Sequence, residues 1–172
     1  ALLDQAIIKY HIKAEVNDII MIGSIEHSSI SKYITRSFTD RSYTIILIPC
    51  NKDGIINLFE YDELLKKYKD RIVLITCMLV NNEIGTIQPI NEMVKIKNKY
   101  NNKIIFHSDV GSSASLVNEF IDYPDVITMS CYKYGGPHYG LMLHNNKCKF
   151  RPVYYGTPDV YNIYYCSLVF ED

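Results

Sequence analysis

Short apolar runs alternate with amphipathic runs along this 172-residue chain, and this alternation limits the possible folds more than any other feature of the sequence. Apolar runs rich in β-branched residues predict strands, and apolar residues spaced three or four apart predict helices. We expect strands at 19–22, 43–48, 72–80, 104–107, 126–129 and 141–143, and helices at 1–13, 28–34, 58–68 and 90–100. Strands that alternate with helices form right-handed βαβ units. The sequence therefore predicts an α/β fold with a mostly parallel sheet and helices on both faces.

The composition argues against several kinds of partner and location. Because 18 Lys and Arg balance 19 Asp and Glu, we expect neither a nucleic-acid surface nor a polybasic membrane anchor. The longest apolar run, 72–80, is far shorter than the roughly 20 residues of a transmembrane helix. The first residues lack the pattern of a secretory signal. The five cysteines are an odd number without metal-type pairs, which favours a reducing cytoplasm and argues against a metal site.

Polar residues that follow the expected strands are the candidates for chemistry. Because the carboxyl ends of parallel strands share one edge, these residues are expected to converge there. They are His27, Asn81, Asn82, Asp109 and Lys133. An imidazole, amides, a carboxylate and a cation together are typical of an active site that binds a small molecule.

Each candidate also has an ordinary structural interpretation. A lysine that is partly buried at a sheet end can act as a nucleophile and form Schiff bases, but Lys133 could equally be a surface lysine in a loop. Asp109, followed by small residues, could be a turn carboxylate. His27 could be a stacking ring or a base, or only structural, and the Asn81–Asn82 pair could be only a turn. Ser28 and Ser29 are expected to cap the helix at 28–34.

Several segments of the chain form an ordered set of motifs. The longest is VNNEIGTIQPI at 80–90, and the others are SIEHSSI at 24–30, NKDG at 51–54, FHSD at 106–109, MSCYKYGGP at 129–137 and GTPDV at 156–160. In this order they resemble the NifS/IscS-type cysteine desulfurases, which are pyridoxal-phosphate enzymes of the class-V aminotransferase group. The resemblance covers about residues 1–165 and implies the large domain of a fold-type-I enzyme.

The resemblance implies a role for each matching residue around pyridoxal phosphate. Lys133 is expected to bind the cofactor covalently, and Asp109 is expected to face the pyridine nitrogen. His27 matches the imidazole that stacks on the ring, and Asn82 matches the donor to the phenolic oxygen.

Four further positions match residues around the cofactor less closely. Ser130 matches a hydroxyl that binds the phosphate group, and Thr157 matches a threonine that reaches the phosphate of the other subunit. Tyr132 stands where the family has a histidine, and its hydroxyl could still donate to phosphate. Ser112 stands where the family has a glutamine, which removes an amide donor near the ring.

The resemblance implies conversion of L-cysteine to L-alanine in a homodimer, with sulfane sulfur passed to an acceptor such as an iron–sulfur scaffold protein. The match begins after the family's N-terminal phosphate loop and ends before its small C-terminal domain, so we expect residues 1–172 to form only the large cofactor-binding domain. No cysteine matches the family's nucleophile, and Cys77 and Cys131 are expected to be core residues.

Two alternatives stay open. One is another class-V enzyme, such as a selenocysteine lyase or an aminotransferase, and the other is a non-catalytic remnant with a structural or interaction role.

Overall fold

A single sheet of seven strands organises the chain in the computed structural model, which describes residues 18–38, 43–138, 140–145, 148 and 165–170. The strands are β1 (Ile19–Gly23), β2 (Thr44–Ile48), β3 (Ile72–Thr76), β4 (Ile105–Asp109), β5 (Val126–Ser130), β6 (Gly140–Asn145) and β7 (Tyr165–Phe170). Their order across the sheet is β2-β1-β3-β4-β5-β6-β7. The neighbours from β2 to β5 are parallel, whereas β6 runs antiparallel to β5 and β7 is parallel to β6. The prediction of a mostly parallel α/β fold is confirmed.

Three α-helices connect the parallel strands. They are α1 (Ser28–Phe38), α2 (Leu58–Tyr68) and α3 (Ile90–Tyr100), and two short 3₁₀ helices follow at Ala114–Glu119 and Cys131–Tyr134. The start of α2 is fixed by Asn57, whose side chain accepts hydrogen bonds from the amides of Phe59 and Glu60. The bounds expected for α2 and α3 are confirmed, and α1 extends beyond the expected end at residue 34. The helix expected at 1–13 lies outside the described residues. The helices of the described ranges are all too short or too polar to serve as a membrane span.

The prediction of a strand over 72–80 is wrong at its end, because β3 stops at Thr76. The chain then continues beside β4 without belonging to the strand: the amide of Cys77 donates to the His107 carbonyl, and the amide of Leu79 donates to the Asp109 carbonyl. Cys77, Met78 and Leu79 are all buried. The apolar run therefore extends past the end of β3, because residues 77–79 are buried although they are not part of the strand.

The core has two parts, one on each face of the sheet. Along β1, Ile19 and Met21 join the larger cluster with residues of α2 and α3, while Ile20 and Ile22 join the other cluster with Ile34 of α1. This alternation is what the two-residue period of a strand requires when both faces are covered. The expected placement of helices on both faces is confirmed.

A buried ion pair joins α3 to the sheet. Lys97 Nζ lies 2.9 Å from Asp125 Oδ2, and the two side chains are only 2% and 9% exposed. The same carboxylate accepts hydrogen bonds from the Phe106 amide and from Asn145 Nδ2, and Lys97 also donates to the Ile104 carbonyl. The Asp125 carboxylate thereby connects α3, β4, β5 and β6.

We expect Lys97→Met to lower the free energy of unfolding by about 3 kcal/mol, because it leaves the Asp125 carboxylate buried without its cation. Urea denaturation followed by far-UV circular dichroism measures this change. The matched control is Lys95→Met on the same helix, which removes a 3.4 Å ion pair with Asp122 from side chains that are 52% and 31% exposed. It should cost no more than about 1 kcal/mol. Equal losses in the two variants would contradict the argument.

Candidate active site

The carboxyl ends of β1, β3, β4 and β5 lie at one edge of the sheet, because these strands are parallel. Asp109 is the last residue of β4, and the segments that follow β1, β3 and β5 carry His27, Asn82 and Lys133, respectively. The fold thus brings the expected polar residues to the same edge, as sheets of this kind do at their ligand sites.

Asp109 ends β4 and is mostly shielded from solvent. Its Oδ1 accepts a hydrogen bond of 2.8 Å from the Gly111 amide. A Cβ at Gly111 would lie 3.0 Å from Asp109 Oδ1 and 3.8 Å from Ser130 Oγ, so the absence of a side chain there lets the three residues approach closely. Burial raises the pKa of Asp109, and the Gly111 amide, His27 and Lys133 act in the opposite direction. Both candidate basic residues therefore favour the ionised form of this carboxylate.

Lys133 lies on the 3₁₀ helix Cys131–Tyr134, and its side chain is exposed. Of the two interpretations of Lys133, a partly buried lysine at the sheet end and a surface lysine, the structure shows the exposed one, because the chain leaves the sheet at Ser130 before it reaches this residue. Lys133 Nζ donates a hydrogen bond of 3.1 Å to Ser112 Oγ. Ser112, expected near the cofactor, thus contacts the candidate lysine directly.

His27 is the N-cap of α1, not Ser28 or Ser29 as expected. Its carbonyl accepts from the amides of Ile30 and Ser31. Its ring Nδ1 accepts from the Ser29 amide at 3.2 Å and lies 2.8 Å from Ser29 Oγ. Since an accepting Nδ1 carries no proton, the neutral ring is protonated at Nε2. The cap thereby fixes the orientation and the tautomer of the imidazole.

The two asparagines after β3 have different environments. Asn81 is buried, donates to the Ile25 carbonyl at 2.8 Å and accepts from the amides of Glu83 and Ile84. Asn82 is exposed, and its side chain makes no hydrogen bond within the described part of the chain. Asn81 therefore holds the turn against the segment that contains His27, and the Asn82 side chain is exposed at the surface of the turn.

The remaining candidates for the cofactor site are Ser130, Tyr132 and Thr157. Ser130 lies at the end of β5, near Gly111 and Asp109. Tyr132 is 50% exposed, and its ring stacks on His138 with 5.2 Å between the ring centroids. Thr157 lies outside the described residues.

Glu26 is a feature of this edge that the sequence analysis missed. Both carboxylate oxygens are buried, and neither has a hydrogen-bond partner of good geometry. A Cβ at Gly23 would lie 3.6 Å from Glu26 Oε1 and 3.5 Å from Cys77 Sγ, so these groups are closely packed. Burial first, and then the charge of Asp109, raise the pKa of Glu26 to about 8, although the nearby amides of Met78 and His27 act to lower it. Its place in the SIEHSSI motif was visible in the sequence, but its burial was not.

His107 is a second buried titratable residue at this end of the sheet. Its Nδ1 lies 2.8 Å from Thr76 Oγ1, and its Nε2 lies 2.9 Å from Thr128 Oγ1. Burial lowers the pKa of His107 to about 3, so the ring is neutral at physiological pH. His107 therefore links β3, β4 and β5 and is not a proton carrier at neutral pH.

Comparison with known proteins gives the family. The family model for aminotransferase class-V matches residues 4–172, nearly the whole chain. The chain belongs to the class-V aminotransferase family. The members of this family that it resembles are cysteine desulfurases of the NifS/IscS type.

Three curated relatives of this class-V chain show how far the similarity extends. It is 36% identical over 104 residues to the mitochondrial cysteine desulfurase of Candida maltosa, which is 59% of this chain and 20% of that protein. It is 28% identical over 141 residues to the cysteine desulfurase IscS of Dictyoglomus turgidum, which is 80% of this chain and 34% of that protein. It is 34% identical over 129 residues to a NifS homologue of Lactobacillus delbrueckii, which is 73% and 32% of the two chains. The chain spans about a fifth to a third of the length of these relatives.

Solved structures give the same fold for the class-V chain. A NifS-like protein superposes with a TM-score of 0.71 at 22% identity, covering 83% of this chain and 39% of that chain. The NifS-like protein of Rickettsia africae superposes with a TM-score of 0.66 at 28% identity, covering 83% and 38%. These neighbours support the expected fold-type-I architecture.

Class-V aminotransferases of the cysteine desulfurase group depend on pyridoxal phosphate. The residues at the sheet edge fit such a group on the evidence of the structure itself. The Asp109 carboxylate is shielded and accepts from the Gly111 amide, the Lys133 amine is accessible, and the lack of a side chain at Gly111 allows close approach to the carboxylate. A pyridoxal phosphate bound at this edge would meet a carboxylate for its ring nitrogen and an amine for its aldehyde.

We expect Glu26 to make stability fall as pH rises from about 4.5 to about 8. The unfolded carboxyl has a pKa near 4.5 and the folded one a pKa of about 8, so the folded state retains a proton that the unfolded state has lost within this range. Unfolding then releases a proton, and the free energy of unfolding decreases with pH by a total on the order of 3–5 kcal/mol.

Urea denaturation of wild type and Glu26→Gln between pH 4.5 and 9 measures this effect. The variant cannot ionise at this position, so its stability should fall much less over the same range. Glu63→Gln on the exposed face of α2 is the matched control and should follow the wild type. Parallel pH profiles for wild type and Glu26→Gln would contradict a protonated Glu26.

Proposed function

We propose that this chain is the pyridoxal-phosphate-binding large domain of a cysteine desulfurase-like enzyme and that Lys133 is the residue that binds the cofactor. The observation that carries the proposal is the convergence of Asp109, His27 and Lys133 at the carboxyl edge of the sheet, where the Gly111 amide and Lys133 favour the ionised form of the shielded Asp109 carboxylate. When bound, pyridoxal phosphate withdraws electrons from the Cα of an amino acid and so weakens the bonds around it. The remaining chemistry belongs to the residues of the chain.

Lys133 supplies the nucleophile. Its Nζ is accessible from solvent and is held by Ser112 Oγ at 3.1 Å, which directs the amine toward the loop that follows Asp109. A lysine in this position forms a covalent bond with an aldehyde carbon when its amine is unprotonated. With the cofactor and substrate in place, a free Lys133 amine would be the group that moves a proton at the substrate carbon.

Asp109 holds a proton at the ring nitrogen. Burial alone favours its neutral form, but the Gly111 amide, His27 and Lys133 favour the carboxylate. Asp109 would be held in the ionised form further by a protonated ring nitrogen beside it. Asp109 then maintains the positive charge of the ring.

His27 and Asn82 orient the ring. The hydrogen bonds from Ser29 to His27 Nδ1 keep the imidazole in one orientation, and a flat ring held in this way is suited to stacking on another flat ring. Asn82 is exposed after the turn fixed by Asn81, so its amide is available to donate to a ring oxygen. Ser130 beside Gly111 provides a hydroxyl for the phosphate group.

The substrate that we propose is L-cysteine, with L-alanine as product and sulfane sulfur transferred to the thiolate of an acceptor, such as an iron–sulfur scaffold protein. The curated relatives named cysteine desulfurases support this substrate. Among the described cysteines, Cys77 is fully buried, and burial raises the pKa of its thiol well above the ordinary value. We therefore assign the sulfur-accepting thiolate to a residue other than Cys77. We also propose that the working unit is a homodimer, as the resemblance to cysteine desulfurases implies.

A second candidate is a non-catalytic remnant with a structural or interaction role. The exposure of Lys133 and Tyr132 favours it, because a cofactor-binding lysine is better protected when the site excludes water. The two candidates differ in whether Lys133 reacts selectively with the cofactor aldehyde.

We expect incubation with pyridoxal phosphate, followed by borohydride reduction and peptide mapping, to label Lys133 in preference to the other lysines. Lys133→Ala should lose both this label and the visible absorbance that precedes reduction, with an unchanged circular dichroism spectrum. The control is Lys103→Ala, which removes another exposed lysine, from the loop before β4. It should retain both signals. Equal labelling of many surface lysines would reject the proposed function and favour the remnant.

A further inference from the structure

The hydroxyl of Tyr134 forms hydrogen bonds with the backbone at both ends of the loop that follows Asp109. It accepts a hydrogen bond of 2.6 Å from the Ala114 amide and donates one of 3.3 Å to the Val110 carbonyl. These two backbone groups flank Gly111 and Ser112, the residues that contact Asp109 and Lys133. One hydroxyl therefore holds both ends of the loop.

Tyr134 directly follows Lys133 on the same 3₁₀ helix. That helix is closed by Gly135, whose φ of +75° lies in the left-handed region, and by the Gly136 amide, which donates to the Cys131 carbonyl. The helix and the loop are thus joined at two neighbouring points: Lys133 Nζ to Ser112 Oγ, and Tyr134 Oη to the loop backbone. A shift of the loop would change the surroundings of the lysine amine.

The Tyr134 ring is not a core residue. It is 45% exposed, so much of its apolar surface remains in contact with water. A phenol at such a position contributes mainly through its hydroxyl, whose loss leaves the Ala114 amide without this partner. Phenylalanine has the same ring, so Tyr134→Phe removes the hydrogen bonds and little else.

We propose that Tyr134 is a positioning residue for Lys133, which acts by holding the loop so that Ser112 contacts the lysine amine and the Gly111 amide contacts Asp109. The proposal rests on the proposed function for its role in the reaction. The positioning itself is a property of the protein alone and can be measured without pyridoxal phosphate.

The test is competitive labelling of the cofactor-free protein with a trace of acetic anhydride, in which the acetylation rate of Lys133 is measured by mass spectrometry relative to Lys103. The hydrogen bond to Ser112 Oγ holds the Lys133 amine in one position and occupies its nitrogen, so Ser112→Ala frees the amine to meet the reagent and should raise the relative rate about threefold. Tyr134→Phe should give a similar increase. If Tyr134 acts through Ser112, the double variant should show no more than the single effect.

Amide hydrogen exchange gives a second measurement on the same variants. Tyr134→Phe should speed exchange at Gly111, about tenfold, as well as at Ala114, because the loop moves as a unit. The matched control is Tyr100→Phe, which removes a hydroxyl that donates to Asp62 at the opposite end of α3 from the site. It should change neither the Lys133 rate nor the Gly111 exchange.

The outcomes separate this proposal from the proposed function. Faster exchange at Ala114 alone, or additive effects in the double variant, would overturn the positioning role of Tyr134. Pyridoxal-phosphate labelling of the same proteins tests the other step: we expect Lys133 capture to fall about tenfold in Tyr134→Phe. Unselective labelling of the wild type would reject the cofactor assignment, and the acetylation result would still decide the role of Tyr134.

Discussion

The arrangement of the candidate site depends on the contacts that the buried Asp125 carboxylate makes. It precedes β5 and binds Lys97 of α3, the Phe106 amide of β4 and Asn145 of β6. These contacts fix the neighbours of β5 at its amino end and are consistent with the register that pairs Asp109 with Thr128. In this register the end of β4 and the chain after β5 reach the same edge. The position of the candidate site at one end of the sheet is thus linked to a buried ion pair near the other.

Two carboxylates near the carboxyl edge of the sheet, Glu26 and Asp109, are both shielded from solvent but have different neighbours. Burial raises the pKa of both Glu26 and Asp109. Asp109 also has the Gly111 amide, Lys133 and His27 to favour its ionised form, whereas the carboxylate oxygens of Glu26 meet no hydrogen-bond partner of good geometry. Glu26 is therefore mainly neutral at pH 7, since its pKa is about 8. A neutral Glu26 adds no second negative charge beside Asp109, which leaves Lys133 to act on Asp109 alone.

Much of the fold could be predicted from the sequence, because helix periodicity and local turn chemistry are encoded in neighbouring residues. The bounds of α2 and α3 are examples, and so is the convergence of residues after parallel strands. Burial of individual groups could not be predicted in this way. Cys77 to Leu79 are buried outside a strand, Lys133 is exposed on a 3₁₀ helix, and the Glu26 carboxylate is buried by packing against distant segments. Each of these depends on tertiary contacts that no local pattern contains.

The loop after Asp109 carries a short side chain, that of Ser112, next to the candidate lysine. Ser112 occupies the position where the sequence resemblance implies a glutamine, and its hydroxyl lies 3.1 Å from Lys133 Nζ. A serine side chain has one rotatable bond before its oxygen, so its reach is determined almost entirely by the backbone that carries it. The position of that backbone matters more here than it would for a longer side chain, which can adjust its own conformation. The hydroxyl of Tyr134 holds the backbone on both sides of Ser112, and the same short loop supplies the Gly111 amide to Asp109. The lysine and the carboxylate of this site are therefore connected through one loop, and a substitution that moves the loop affects both.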